Sequence, residues 1–251
     1  MVLQNNDKQE DDVNTRIFHS IADVFQKAQL SYAGHRKHVA VLKKILSKAA
    51  AQGYESAFNY WFDTLVTKIL PLKKNDVVGD RIVKLVAAFI ASRERELRKD
   101  NESENEKSLE AAKSSTSEDE EVFLTFMDQF IRHILRGIES KDRNVRYRVV
   151  QLLAMIMDNI GELDESLYNL LVWSLNKRIY DKEANVRMQV VFCLTKFQDD
   201  ETQEGENSTQ GATETLLSLV QNDPSAEVRR AAMLNLVNNN KTQPYILERA
   251  R

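Results

Sequence analysis

Apolar residues recur at steps of three and four through most of this 251-residue chain, the spacing that lines one face of an α-helix. From Phe123 the stripe runs through Phe126, Phe130, Ile134 and Ile138, breaks at the polar stretch 140–144, and resumes with Val145, Val149, Leu152, Ile156 and Ile160. A second pair of stripes carries Leu167, Leu170, Leu171, Leu175 and Ile179, then, after 181–185, Val186, Val190, Leu194 and Phe197. A third carries Leu216, Leu217, Leu219 and Val220, then "NDPSAE", then Val228, Ala231, Ala232 and Leu234. Pro224 falls in that turn, where its missing N–H costs nothing. Upstream, a helix over 14–30 is expected to start at an Asn14-Thr15 cap and to bury Ile17, Ile21, Val24 and Ala28. Helices over 36–51 (Val39, Leu42, Ile45, Leu46, Ala49) and 55–70 (Phe58, Trp61, Phe62, Leu65, Ile69) follow, the latter ending near Pro71. A fourth opens after Asp80 with Ile82, Leu85, Val86, Phe89 and Ile90.

The second helix of each downstream pair opens on nearly the same words: "NVRYRVVQLL" at 144, "NVRMQVVFCL" at 185 and "EVRRAAMLNL" at 227. Val145 to Val186 is 41 residues and Val186 to Val228 is 42. Paired helices at a period in the forties mark a HEAT or armadillo array, whose units bury their apolar faces only by stacking. The expected fold is an all-α HEAT-repeat superhelical solenoid. Nothing caps the third repeat after Leu247, so the chain reads as a fragment of a longer array. Residues 1–13 are expected to be a disordered N-terminus, 14–99 HEAT-like helices without the Val-Arg signature, 100–121 an acidic disordered insertion, and 122–251 HEAT repeats interrupted by an acidic loop at 199–211.

Composition supports the helical reading, because 7 Gly and 3 Pro are too few for the turns of a β-sandwich or barrel. One cysteine, Cys193, forms no internal disulfide. No apolar run is long enough for a membrane span, and the polar start "MVLQNNDKQEDD" is no signal peptide. The net charge of −3 conceals segregation: residues 100–121, 199–206 and 1–12 carry −7, −5 and −3, which leaves +12 on the rest. A basic body of that size suits a polyanionic partner.

Arg146, Arg187 and Arg229 each follow the repeat valine. They either contact nucleic acid or form a structural ladder with Asp142, Asp181 or Asp223 in the turns. Recurrence at a fixed place in each repeat favours the ladder. Basic residues outside the repeat pattern carry more information: Lys43, Lys44, Lys68, Lys73, Lys74, Arg81, Lys84, Arg143 and Arg148 are candidates for a phosphate track. Lys73 and Lys74 stand out in the inter-helix turn "PLKKND". Ser115, Thr116 and Ser117 each precede an acidic residue by three positions, the context of an acid-directed kinase, and phosphate there would add negative charge beside a basic body. No nucleotide-binding, zinc-protease or hydrolase motif occurs, so no enzyme, cofactor or metal site is expected. His35 and His38 share a helix face, but Arg36 and Lys37 beside them oppose a cation.

Four stretches in order carry a more specific likeness: "IADVFQKAQLSYAGHRKHVAVLKKI", "GDRIVKLVAAFIAS" before an acidic insertion, "FLTFMDQFIRHILRGIESKDRNVRYRVVQLLAMIM", and "LNKRIYDKEANVRMQVVFCLTKFQDD". Together they resemble the N-terminal portion of the condensin HEAT-repeat subunit of the CAP-G type. The resemblance implies a non-catalytic subunit of a complex that compacts mitotic chromosomes in the nucleus, with the cytoplasm as a further location. It implies a kleisin subunit seated in the groove, SMC subunits reached through the complex, and double-stranded DNA bound without sequence reading on a basic concave surface. It carries that role onto Lys68, Lys73, Lys74, Arg81 and Lys84, with Lys43, Lys44, Arg143 and Arg148 after them. No membrane and no small-molecule substrate are expected. The competing reading is a HEAT-repeat adaptor or transport receptor whose groove holds protein alone.

Overall fold

The computed structural model describes residues 2–104, 112–161, 163–198 and 211–250, with side chains over 11–92, 121–161, 163–198 and 211–247. Eleven α-helices and no strand occur among the described residues. The chain divides into two compact units, residues 1–137 with 159–161 and residues 138–158 with 162–251.

The first unit holds α1 (Val2–Ala28), α2 (His35–Ala50), α3 (Glu55–Ile69), α4 (Val77–Glu104) and α5 (Ala112–Leu135). Its core is aromatic. Phe62 lies at the centre, with ring centroids 5.4 to 5.6 Å from Phe25, Phe58, Phe89, Phe126 and Phe130. Most of these contacts are edge-to-face or tilted, the arrangement aromatic quadrupoles prefer. Helix α1 adds Ile17, Ile21, Val24 and Ala28 to this core.

Three expectations need correction here. Helix α1 does not begin at Asn14-Thr15 but runs from Val2. The Thr15 hydroxyl donates to the Asp11 carbonyl 2.7 Å away, which is back-bonding inside a helix rather than capping. An Arg16–Asp12 pair one turn apart supports the same stretch, and no Gly or Pro interrupts it. The acidic insertion is flanked by helical backbone, since α4 reaches Glu104 and α5 begins at Ala112; residues 105–111 lie outside the described residues. Trp61 and Leu65, read as core, are only half-buried.

The second unit holds α6 (Arg143–Met157), α7 (Glu165–Arg178), α8 (Ala184–Leu194), α9 (Ala212–Asn222), α10 (Ala226–Asn235) and α11 (Gln243–Ala250). Helix α8 packs on α6 and on α10, so that Val186, Val190, Val191, Cys193 and Leu194 are buried on several sides. Burial pushes the Cys193 thiol up, which leaves it a small inert hydrophobe. Leu234, placed on the α10 stripe, is 68% exposed, and Leu236 beyond the helix end is buried in its stead. Helix α11 has no counterpart among the sequence expectations. The acidic loop at 199–211 lies, apart from Gly211, outside the described residues.

The arginines form a ladder, but one offset by a repeat. Arg146 donates through Nε and Nη2 to Asp181 at 2.7 and 3.0 Å, and Arg187 does the same to Asp223 at 2.7 and 2.8 Å. The remaining nitrogen of each arginine returns to its own turn: Arg146 Nη1 to the Ser140 carbonyl, Arg187 Nη1 to Asp181, and Arg229 Nη1 to Asp223. Each aspartate also accepts a backbone N–H two residues on, from Glu183 and Ser225. Asp142 is not a rung; it caps α6 by accepting the Asn144 N–H at 2.8 Å. Ser140 occupies the turn position held by Asp181 and Asp223 in the later repeats, and its hydroxyl accepts the Asp142 N–H. The carboxylate therefore first appears one repeat after the first Val-Arg signature, where an arginine is waiting for it.

A second tie joins the far ends of the same helices. The Gln198 side chain accepts the Val237 N–H at 2.7 Å and donates to the Asn235 carbonyl at 2.8 Å. Helices α8 and α10 are thus fastened at their starts by Arg187 and just beyond their ends by Gln198.

Candidate functional site

Five of the candidate basic residues, Lys68, Lys73, Lys74, Arg81 and Lys84, flank the turn from α3 to α4. Helix α3 stops just before Pro71, which cannot continue the hydrogen-bond ladder. The chain then reverses through Asn75 in the left-handed conformation (φ 66°), a state asparagine tolerates better than most residues. Asp76 closes the turn, donating its N–H to the Lys73 carbonyl and accepting the Gly79 N–H on its side chain at 2.9 Å. These bonds hold Lys73 exposed and Lys74 half-buried on a well-defined loop rather than a loose one. Lys68 is exposed in the last turn of α3, immediately before the loop.

Within the first two turns of α4 come Arg81 and Lys84, and both meet the ring of Tyr32. The Arg81 guanidinium carbon lies 5.5 Å and the Lys84 Nζ 4.6 Å from the ring centroid, inside cation–π range. Tyr32 sits in a 3-10 turn (Tyr32–Gly34) that Ser31 caps through the Ala33 N–H. Arg81 is anchored by a 2.6 Å bond from Nη1 to the Gln29 carbonyl, and its buried Nε has no hydrogen-bond partner. Lys43, on α2, reaches across to the Ser92 hydroxyl of α4 at 2.9 Å, while Lys44 beside it is exposed. Among the described residues, Lys44, Lys68 and Lys84 make no ion pair. Tyr32 went unread in the sequence; its only signal is an aromatic in a short loop beside "HRKH".

The structure does not bring every candidate to this place. Arg143 and Arg148 belong to the second unit. Arg143 is exposed, with Glu183 3.8 Å away. Arg148 is fully buried, donates to the Gln151 side chain at 2.8 Å and stacks against Tyr147. A guanidinium with no exposed surface presents no charge to a phosphate, so Arg148 is withdrawn from the candidate set. Ser115, Thr116 and Ser117 have helical backbone in the first turns of α5, and their side chains lie outside the described residues.

One half-buried titratable cluster was invisible to the sequence because its members are about seventy residues apart. The His133 ring joins Asp63 and Thr67 between α3 and α5: Nε2 is 2.8 Å from the Thr67 hydroxyl and Nδ1 is 3.6 Å from Asp63 Oδ2. The Thr67 hydroxyl donates to the Asp63 carbonyl, so it accepts from Nε2–H, and in the neutral ring Nδ1 faces Asp63 without a proton. Burial pushes the Asp63 carboxyl up to about 7 against the opposing charge of Arg136. Burial, with Arg136, also lowers His133. Among the described residues no group of three His, Cys, Asp or Glu is arranged to hold a metal ion.

No family model matches the chain. Condensin complex subunit 3 of Saccharomyces cerevisiae is 67% identical to it over 249 residues, covering 96% of this chain and 23% of that protein. Condensin complex subunit 3 of Schizosaccharomyces pombe is 33% identical over 234 residues, covering 92% and 22%. A crystal structure of the S. pombe condensin Cnd3-Cnd2 subcomplex superposes with a TM-score of 0.67 at 30% identity, covering 92% of this chain and 25% of the solved one. The chain thus spans under a quarter of the length of the curated relatives it matches.

Proposed function

From its similarity to condensin complex subunit 3 we propose that the chain belongs to that family and is part of the CAP-G type of subunit, a non-catalytic HEAT-repeat scaffold that holds the kleisin and binds double-stranded DNA without reading its sequence. The kleisin partner is carried over from the solved neighbour, a Cnd3-Cnd2 subcomplex, and the SMC subunits follow through the complex. Its place of action is the nucleus and the mitotic chromosome.

The DNA reading is carried by one observation: Lys68, Lys73, Lys74, Arg81 and Lys84 cluster at the α3–α4 turn, and that turn is internally hydrogen-bonded. A turn whose backbone is already held can present these cations to phosphate without first ordering the loop. Cations that meet phosphate oxygens rather than base edges fix position on the duplex and carry no base code. Binding driven by these contacts releases condensed counterions. Neutralising about five phosphates gives a log–log salt slope of about −4.5, at about 0.9 per contact.

Fluorescence anisotropy with unrelated duplexes, across a salt series and with the kleisin segment present, tests this. Lys73→Glu with Lys74→Glu should lower DNA affinity and flatten the slope by about 1.8, at about 0.9 per lost contact, while kleisin affinity holds. A wild-type slope near zero defeats the electrostatic mechanism. Equal loss of kleisin and DNA affinity would mean that the substitutions damaged packing instead.

A further inference from the structure

Away from the basic turn, the first unit carries an open cavity of about 420 Å³ between the start of α3 and the facing stretch of α5. We propose that this cavity is a receptor for an arginine side chain presented by a protein partner, with Asn59 at its floor and Glu55 and Glu121 at its rim. This inference is independent of the DNA reading and concerns other residues.

The floor carries the first argument. Asn59 is 8% exposed, and its Nδ2 donates to Gln129 Oε1 at 3.0 Å. Its Oδ1 is buried and has no donor. A buried carbonyl oxygen left without a donor is uncommon in folded proteins, and it asks for an N–H or O–H from elsewhere. Asp63, one turn further along the same helix, also has a buried oxygen without a donor, but it belongs to the His133 cluster and does not line this cavity.

The walls carry the second. Ser56 and Thr125 bring hydroxyls, Val122 brings an apolar side, and Glu55 and Glu121 are exposed at the edge. Among the described residues, no cationic side chain lines the cavity. Two carboxylates repel phosphate, nucleic acid and acidic peptides, and attract a cation that can also donate hydrogen bonds. A metal ion is the wrong cation, since among the described residues no three suitable ligands converge. The volume is near the lower end of the 300–1,000 Å³ range of small-ligand sites, which suits one long side chain better than a nucleotide or a folded segment.

Arginine fits this chemistry better than lysine. Its planar fork carries five N–H donors, so one edge can serve the Asn59 oxygen while the other reaches a rim carboxylate, and its methylene stem packs on Val122. Lysine offers three donors from a single point and cannot span floor and rim together. The spacing on the helices makes the site possible: Glu55 and Asn59 are one turn apart on α3, and Glu121, Thr125 and Gln129 follow at successive turns on α5.

The test uses the intact chain, isotope-labelled, titrated with a short glycine–serine peptide carrying one central arginine and with the same peptide carrying citrulline, which is isosteric and neutral. The arginine peptide should shift the Asn59 side-chain amide and the Thr125 backbone amide saturably. The citrulline peptide should bind about tenfold more weakly, because it keeps N–H donors for Asn59 but brings no charge to the two rim carboxylates. Glu55→Gln with Glu121→Gln should weaken the arginine peptide by about tenfold and leave the thermal transition in place, because both residues are exposed. Equal binding of the two peptides overturns the proposal. So do shifts that leave Asn59 and Thr125 unmoved, or a double variant that binds arginine as well as the parent.

Discussion

Removing the Arg187 guanidinium should be among the most damaging single changes in the second unit. Arg187→Met keeps the aliphatic stem but deletes the bidentate pair to Asp223 at 2.7 and 2.8 Å and the 2.6 Å bond to the Asp181 carbonyl. The two side chains are 8% and 0% exposed, so water does not take over for the lost donors. Asp223 keeps only the Ser225 N–H and the charge of Arg229. Breaking a buried pair from one side costs about 3–5 kcal/mol, because an uncompensated charge stays behind. Asp223→Asn removes that charge and keeps an oxygen for the Ser225 N–H, so adding it to Arg187→Met should return part of the loss. A coupling of about 1–3 kcal/mol across the double-mutant cycle is expected. Urea titration of all four proteins by far-UV circular dichroism measures it, provided the four slopes agree. A loss below about 1 kcal/mol in the single variant, or a double variant no better than the single, would refute a structural role for the pair.

Two further predictions concern the first unit. Phe62→Ala empties the centre of five ring contacts and should cost about 3–5 kcal/mol, measured by the same urea titration; a cost below about 1 kcal/mol would mean the rings repack. Asp63 has a folded-state pKa raised to about 7 from an ordinary 3.8, so the folded chain holds its proton more tightly than the unfolded chain between those values. Stability from this group is therefore greatest below about pH 4 and falls as the pH climbs toward 7. His133, lowered in the fold, pulls the other way below its ordinary value, so the comparison that isolates Asp63 is wild type against Asp63→Asn. The wild type should lose ground to the variant from about pH 4 to 7 in parallel urea titrations, and parallel pH profiles would contradict this.

Helix positions were largely legible because burial leaves a period that can be counted. Phe123, Phe126, Phe130, Ile134 and Ile138 are all buried as the stripe requires, and so are Val149, Leu152 and Ile156. Local signals were less reliable: Thr15 carries a capping residue's chemistry, yet its hydroxyl turns back to Asp11 because the helix already exists upstream. The ladder could be foreseen but not its offset, since arginine is long enough to reach either its own turn or the next, and only packing decides. It uses both, with carbonyls at home and a carboxylate next door. Arg148 exposes the limit of reading charge from sequence. One position beyond Tyr147 on a helix buried on nearly every face, it is enclosed, while Arg143 five residues earlier stays in solvent. The Tyr32 cluster and the Asn59 cavity depend on contacts between helices far apart in sequence, and a single sequence holds no distance information of that kind.

The fastening of α8 to α10 at both extremities has a mechanical result. Two rods pinned at one end swing apart like scissors; pinned at two, they can only slide past each other, and each pin resists that motion with directional bonds. When this part of the chain is loaded, the two helices should therefore move as one plate, and any bending must concentrate where a neighbouring pair lacks the second pin.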